Sequence, residues 1–179
     1  FIEESRLKPL FSILYENKFP EADMIDDKGY VPLLIEKDLK YCGDNVFIGT
    51  TKLGIDPAGE GSDISAFVAR DRFKAKVVAR EDKSTPMSIA QKGITAMTAI
   101  GVSAYNVYVD NFGEGANVTQ EFMRGGKFVN GVNVGEKAED ETRFYNKRAE
   151  AYWRLKEWIS GGGELIGEGW KEILNIKYR

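Results

Sequence analysis

The sequence predicts a mixed α/β fold, with the element order β-β-β-α-β-α-β-α, whose central sheet is part antiparallel meander and part parallel crossover and carries helices on both faces. Three observations predict it. Three β-patterned runs follow one another between Thr51 and Glu81 with a tight turn between the last two. Beyond Thr85, stretches with helical spacing alternate with short β-rich runs, the pattern of crossover connections. The length of 179 residues, with 42% hydrophobic composition, suits one domain with one core.

The elements follow in order. Leu7, Leu10, Phe11 and Leu14 share a helical face broken by Pro9, which predicts a short helix within residues 1–17. From Asn17 to Asn45 the chain carries Pro20, the Asp26-Asp27-Lys28-Gly29 turn signal and Pro32, which predicts an extended arm, with the body starting near Val46. Thr51 to Asp56, Ile64 to Arg70 and Phe73 to Glu81 read as the meander, the last two joined at Asp71-Arg72. Thr85 offers an N-cap and Pro86 a first helical residue, with Ala90, Ile94 and Met97 on one face until Gly101. Tyr105 to Asp110 is a strand, Ala116 to Arg124 a helix ended by Gly125-Gly126, and Lys127 to Val134 another strand. A long helix is expected from Asp140 to Ser160, its stripe made by Tyr145, Ala149, Tyr152, Leu155 and Ile159, with Phe144, Trp153 and Trp158 as packing outside that stripe. Gly161-Gly162-Gly163 stops it.

Composition narrows the chemistry. One cysteine, Cys42, removes any intrachain disulfide framework and any multi-cysteine zinc site, and the absence of histidine removes imidazole ligands and His-based triads. No apolar run approaches the ~18 residues of a membrane span, so no membrane partner is expected. Phe1 stands where an initiator Met or a signal peptide would, and the sequence is expected to be an interior part of a longer protein. The net charge of −3 argues against an overall phosphate-binding surface. Locally the balance reverses: Arg70, Arg72, Lys74, Lys76, Arg80 and Lys83 outnumber Asp71, Glu81 and Asp82 on one hairpin. That hairpin is either a DNA-backbone contact or a solvated surface.

Two carboxylates stand out. Asp56 ends the first meander strand inside Gly54-Ile55-Asp56-Pro57-Ala58-Gly59, and Asp110 ends the fourth strand ahead of Gly113-Glu114-Gly115. In sheets with crossover connections, ligands gather where strands end, and neighbouring strands lie about 4.8 Å apart. If the two strands are neighbours, both carboxylates can reach one ion. Carboxylates without imidazole or thiolate suit hard cations such as Mg²⁺ or Mn²⁺, and ion pairs of that kind hydrolyse phosphodiesters with no protein nucleophile. Each Asp could instead be a turn former or helix cap. Asp63 is either a further ligand or a cap for the turn of residues 59–62, and Glu114 is read as a cap. Gly113-Glu114-Gly115 lacks the Lys-Ser/Thr ending of a P-loop.

These residues carry a resemblance. The run from Gly54 to Asp63, then Val109-Asp110 with Gly113 and Gly115, then Asn146-Lys147-Arg148-Ala149-Glu150-Ala151-Tyr152-Trp153 before a Gly-rich stop, resembles the C-terminal nuclease domain of tailed-bacteriophage terminase large subunits. Asn17-Lys18-Phe19-Pro20 is similar to the linker that follows the packaging ATPase in that family. The resemblance implies an RNase H-like, RuvC-like fold in 46–179, a linker arm in 1–45 and a preceding ATPase domain. It implies a metal-dependent endonuclease that cuts concatemeric viral DNA by two-metal hydrolysis, with Mg²⁺ or Mn²⁺ on Asp56 and Asp110. The implied partners are double-stranded viral DNA, the ATPase domain in cis, the capsid portal and the small terminase subunit, in the host cell cytoplasm. The basic residues Arg143, Lys147 and Arg148 of the Asn-Lys-Arg helix are a weaker candidate DNA contact.

The chain departs from the family in one respect. The family's third acidic ligand lies in a Ser-Pro-Asp segment that does not occur before Arg179, so the resemblance places it beyond the sequence. The Walker-type ATPase motifs are also missing. A Holliday-junction-resolvase-like nuclease and a non-catalytic domain that grips DNA or docks on a portal remain as alternatives. An actin-like sugar kinase would need a second half, which this length does not supply.

Overall fold

The computed structural model describes residues 25–58 and 63–178; the helix expected within residues 1–17 and the turn of residues 59–62 lie outside them. In chain order the strands and helices are β1 (Val31–Pro32), β2 (Tyr41–Cys42), β3 (Lys52–Asp56), β4 (Ile64–Arg70), β5 (Lys74–Asp82), α1 (Pro86–Ala99), β6 (Val107–Asp110), α2 (Gly115–Arg124), β7 (Asn130–Val132), α3 (Lys147–Ser160), β8 (Glu164–Ile166) and β9 (Lys177–Tyr178). The expected β-β-β-α-β-α-β-α series runs from β3 to α3. The β3–β4–β5 meander is antiparallel, while β6 pairs parallel with β3 and β7 parallel with β6, because each follows a helical crossover. The whole sheet has the order β2-β8-β5-β4-β3-β6-β7, and β1 and β9 pair separately.

Alternation along the strands sends side chains to two cores. Leu53, Ile55, Phe67, Val107 and Val109 point to one face, where Ile89, Ala90 and Met97 of α1 and Val118 and Phe122 of α2 cover them. Ala75, Leu165, Val68 and Val77 belong to the opposite face, under Leu155, Trp158 and Ile159 of α3 and Trp170. The register shifts within the β4–β5 pair: Phe67 faces Ala79 and Val68 faces Val77, so Val78 is an unpaired bulge residue. The α1 helix starts as its sequence requires, with the Thr85 hydroxyl accepting from Ser88 N–H and Pro86 at the first helical position.

Three expectations need correcting. The last helix begins at Lys147, not Asp140. The Asp140 carboxylate accepts from Thr142 N–H, and its carbonyl accepts from the N–H groups of Arg143 and Phe144, so residues 140–144 close into turns, and Asn146 caps the helix through Ala149 N–H. The buried positions of α3 are Glu150, Trp153 and Ile159, whereas Tyr145 is 93% exposed. Trp153 packs edge-on against Tyr178, a partner far along the chain that no helical stripe announces.

Val46 does not divide an arm from a body. Leu33, Leu34 and Leu39 are buried, β1 pairs with β9, and β2 adds a parallel strand beside β8, which itself follows the glycine stop directly. Strands of two or three residues are too short to show period-2 alternation, and pairing partners alone define them.

A candidate metal centre at two strand ends

The site grows from the β3–β6 pair. Leu53, Gly54 and Ile55 stand opposite Val107, Tyr108 and Val109, so the next pair along both strands is Asp56 and Asp110. Side chains at equal register on neighbouring strands share a face, and neighbouring strands are about 4.8 Å apart. Since Ile55 and Val109 point into the α1/α2 core, the two carboxylates leave the opposite face, where α3 lies.

Local contacts hold both strand ends. Past Asp56, the N–H of Ala58 donates to Ser65 Oγ at 2.9 Å, and buried Ser65 shares a hydrogen bond with buried Ser84 at 2.8 Å. Past Asp110, its own carboxylate accepts from Phe112 N–H at 3.1 Å, while Asn111 N–H donates to Val132 O and Asn111 Oδ1 accepts from Thr119 Oγ1. Gly115, the first residue of α2, lies so close to the Asp110 carbonyl that a Cβ there would overlap it. Glu114 precedes α2 as expected, but it binds the Asn117 side chain rather than a backbone N–H.

The Asp56 carboxyl feels its surroundings. Partial burial, then the Asp110 carboxylate, push the Asp56 carboxyl above its ordinary value; Arg148 pulls it down, and Asp63 and Glu172 add smaller pushes. Asp56 nevertheless keeps an exposed surface through which an ion can reach it. Two oxygen ligands with room for water fit one hard divalent cation, since Mg²⁺ is typically held by one or two carboxylates and keeps several waters. Among the described residues, no group of three or more His, Cys, Asp or Glu is placed to hold a metal. Asp63 is thus near enough to influence Asp56 but is not gathered with the pair into a three-ligand cluster. Glu172, in a 3-10 turn near the chain end, carries no motif that could have marked it in the sequence.

The basic residues of the hairpin have separate surroundings. Strand alternation and ion pairing disperse them. Arg70 stands opposite Lys52, at the start of β3, four residues and about 13 Å from the Asp56 end. Its guanidinium lies over Trp158, Arg72 lies over Phe73, and Lys74 is bound by Asp44. Lys76 shares the lining of an open cavity of about 590 Å³ with Thr50, Thr51, Ser103 and Asn106, by the start of β3. Only Arg80 and Lys83 lie toward the carboxylate end: Arg80 faces Ala66, which faces Asp56, and donates to Gly169 O, while Lys83 adopts a left-handed φ of 46° after β5.

No protein-family model matches the chain. No curated protein matches it either. Solved structures do. The nuclease domain of the large terminase subunit gp2 of bacterial virus Sf6 superposes with a TM-score of 0.58 at 18% identity, over 78% of this chain and 71% of that one. A mutant form of the Sf6 domain with calcium gives 0.56 at 18% identity, over 71% and 68%. The large terminase nuclease from thermophilic phage G20c with bound magnesium gives 0.52 at 15% identity, over 76% and 74%. The chain has the fold of these nuclease domains, as its resemblance implied.

Proposed function

We propose that this chain is a divalent-metal-dependent DNA endonuclease domain of a viral DNA-packaging terminase. The observation that carries the reading is the placement of Asp56 and Asp110 at equal register on adjacent parallel strands of that fold. The solved relatives with calcium and magnesium support the choice of metal class. A hard cation at such a pair supplies Lewis acidity toward a phosphodiester. Asp56 and Asp110 hold it and set its position, and Gly115 keeps the Asp110 backbone tight against α2. The site would take two Mg²⁺ or Mn²⁺ ions, with Asp63 or a further carboxylate helping to hold the second. The proposed substrate is concatemeric double-stranded viral DNA. The proposed setting is a packaging complex in the host cytoplasm, with an ATPase domain in the same chain, the portal and the small subunit.

Plasmid cleavage in Mg²⁺ or Mn²⁺ against EDTA tests this, using the chain alone and extended at its C-terminus. Metal-dependent nicking is expected, and Asp56→Ala and Asp110→Ala should each lower it by more than about a hundredfold without unfolding the domain. Wild-type rates in both variants would remove the pair from the mechanism. Preferential cutting of four-way junctions would move the reading to a resolvase, and DNA binding without cleavage by either form would move it to a gripping or docking domain.

A further inference from the structure

The helix that covers the carboxylate face brings one cation to it. At about 100° per residue, Arg148 lies within about 20° of Leu155 and Ile159 around α3. Those two side chains pack onto the sheet with Ala75 and Leu165. Arg148 therefore sits on the same sheet-facing stripe, about 10 Å nearer the helix start than Leu155. That start is fixed in place: Lys147 N–H donates to Glu136 O and Arg148 N–H to Val134 O, both at 2.9 Å. Val134 is two residues beyond Val132, and Val132 is the register partner of Asp110. The backbone of Arg148 is thus anchored one strand away from the Asp110 end, with its side chain on the face from which both carboxylates project.

Three other basic side chains are committed elsewhere. Lys147 is bound to Glu136 at 2.6 Å, Arg154 to Glu139 and Glu150, and Arg80 to Gly169 O. Among the described residues Arg148 makes no side-chain hydrogen bond or ion pair, and it is exposed. A guanidinium with no ion pair on the carboxylate face serves a ligand that brings further negative charge to Asp56 and Asp110, and its planar fork matches two phosphate oxygens.

We propose that Arg148 contacts the DNA phosphate at the Asp56–Asp110 strand ends, offsetting the repulsion between that phosphate and the two carboxylates. The inference rests on the nuclease reading. Its pull on the Asp56 carboxyl agrees with this placement.

The test is binding of a 20-base-pair duplex in Ca²⁺ across a salt series, with a thermal melt of each variant. Arg148→Gln is expected to melt with the wild type, to bind about tenfold more weakly, and to reduce the slope of log K against log salt by about 0.9, one phosphate contact. Arg148→Lys should retain the slope. Lys92→Ala, which removes a cation paired with Glu81 on the α1 side, should retain both slope and affinity. A wild-type slope in Arg148→Gln, or loss of fold in both Arg148 variants, would overturn this proposal and leave the nuclease reading standing. Failure of the wild-type chain to bind duplex at any salt would overturn both.

Discussion

Gly115 shows how a single residue places a catalytic candidate. With no Cβ, the first turn of α2 can rest against the Asp110 carbonyl. Gly115→Ala must push the helix start or the strand end apart, at a cost of about 1–3 kcal/mol, the usual range for overpacking. The expected result is a lower melting temperature together with weaker metal-dependent cleavage; a variant with wild-type melting and cleavage would show that the strand end yields freely. Both aspartates were legible in the sequence because each ends a β-patterned run and is followed by glycine. Arg148 was visible there only as one of three basic residues on a helix. Its separation from Lys147 required the ion pair with Glu136, which sits eleven positions away.

The β4–β5 hairpin behaves differently as an element from what its charge suggests. Its turn is built on Asp71, a buried carboxylate that accepts from the N–H groups of Ile48, Phe73 and Lys74 at 2.6–2.7 Å. Burial opposes the charge, but the three donors outweigh it and hold the carboxyl below its ordinary value of 3.8. A carboxyl with a lower pKa folded than unfolded adds stability above its unfolded value, and that stability is lost as pH falls through the folded one. Asp71→Asn is therefore expected to cost about 1–3 kcal/mol at neutral pH and to flatten the fall in stability below about pH 4. Denaturant melts at several pH values measure both; an unchanged acid limb would show that other carboxylates set it. The basic residues of the same hairpin were countable in the sequence. Their dispersal was not, because alternation sends Arg70 to the α3 face, and Asp44, whose distance along the chain gives no warning, binds Lys74. The late start of α3 has a similar cause, in that Asp140 and Asn146 each bind backbone N–H groups that a continuous helix would have used.

At the scale of the whole molecule, two cores clamp one sheet, and the carboxylate pair lies at the ends of two of its interior strands. Metal binding to the folded state alone should therefore stabilise the domain. An ion at a hundred times its dissociation constant adds about 2.7 kcal/mol. A rise in melting temperature is expected with Mn²⁺ over EDTA, and Asp56→Ala should lose that rise while melting at or above the wild type in EDTA, since it relieves repulsion with Asp110. An equal rise in the variant would put the ion elsewhere.

The amino-acid sequence by itself determined the mixed sheet, the order of its central elements and the two strand-end aspartates, because alternation, helical spacing and turn residues are local properties of ten or so positions. Only the tertiary structure decided that β3 and β6 are neighbours at equal register, that β2 and β8 extend the sheet, that Trp153 packs on Tyr178, and that Arg148 rather than the hairpin tip bears on the Asp56 carboxyl. Those outcomes depend on pairings between residues as far apart as 41 and 165, or 32 and 177. Such pairings are set by which buried surfaces fit together, a quantity that no local window of sequence contains.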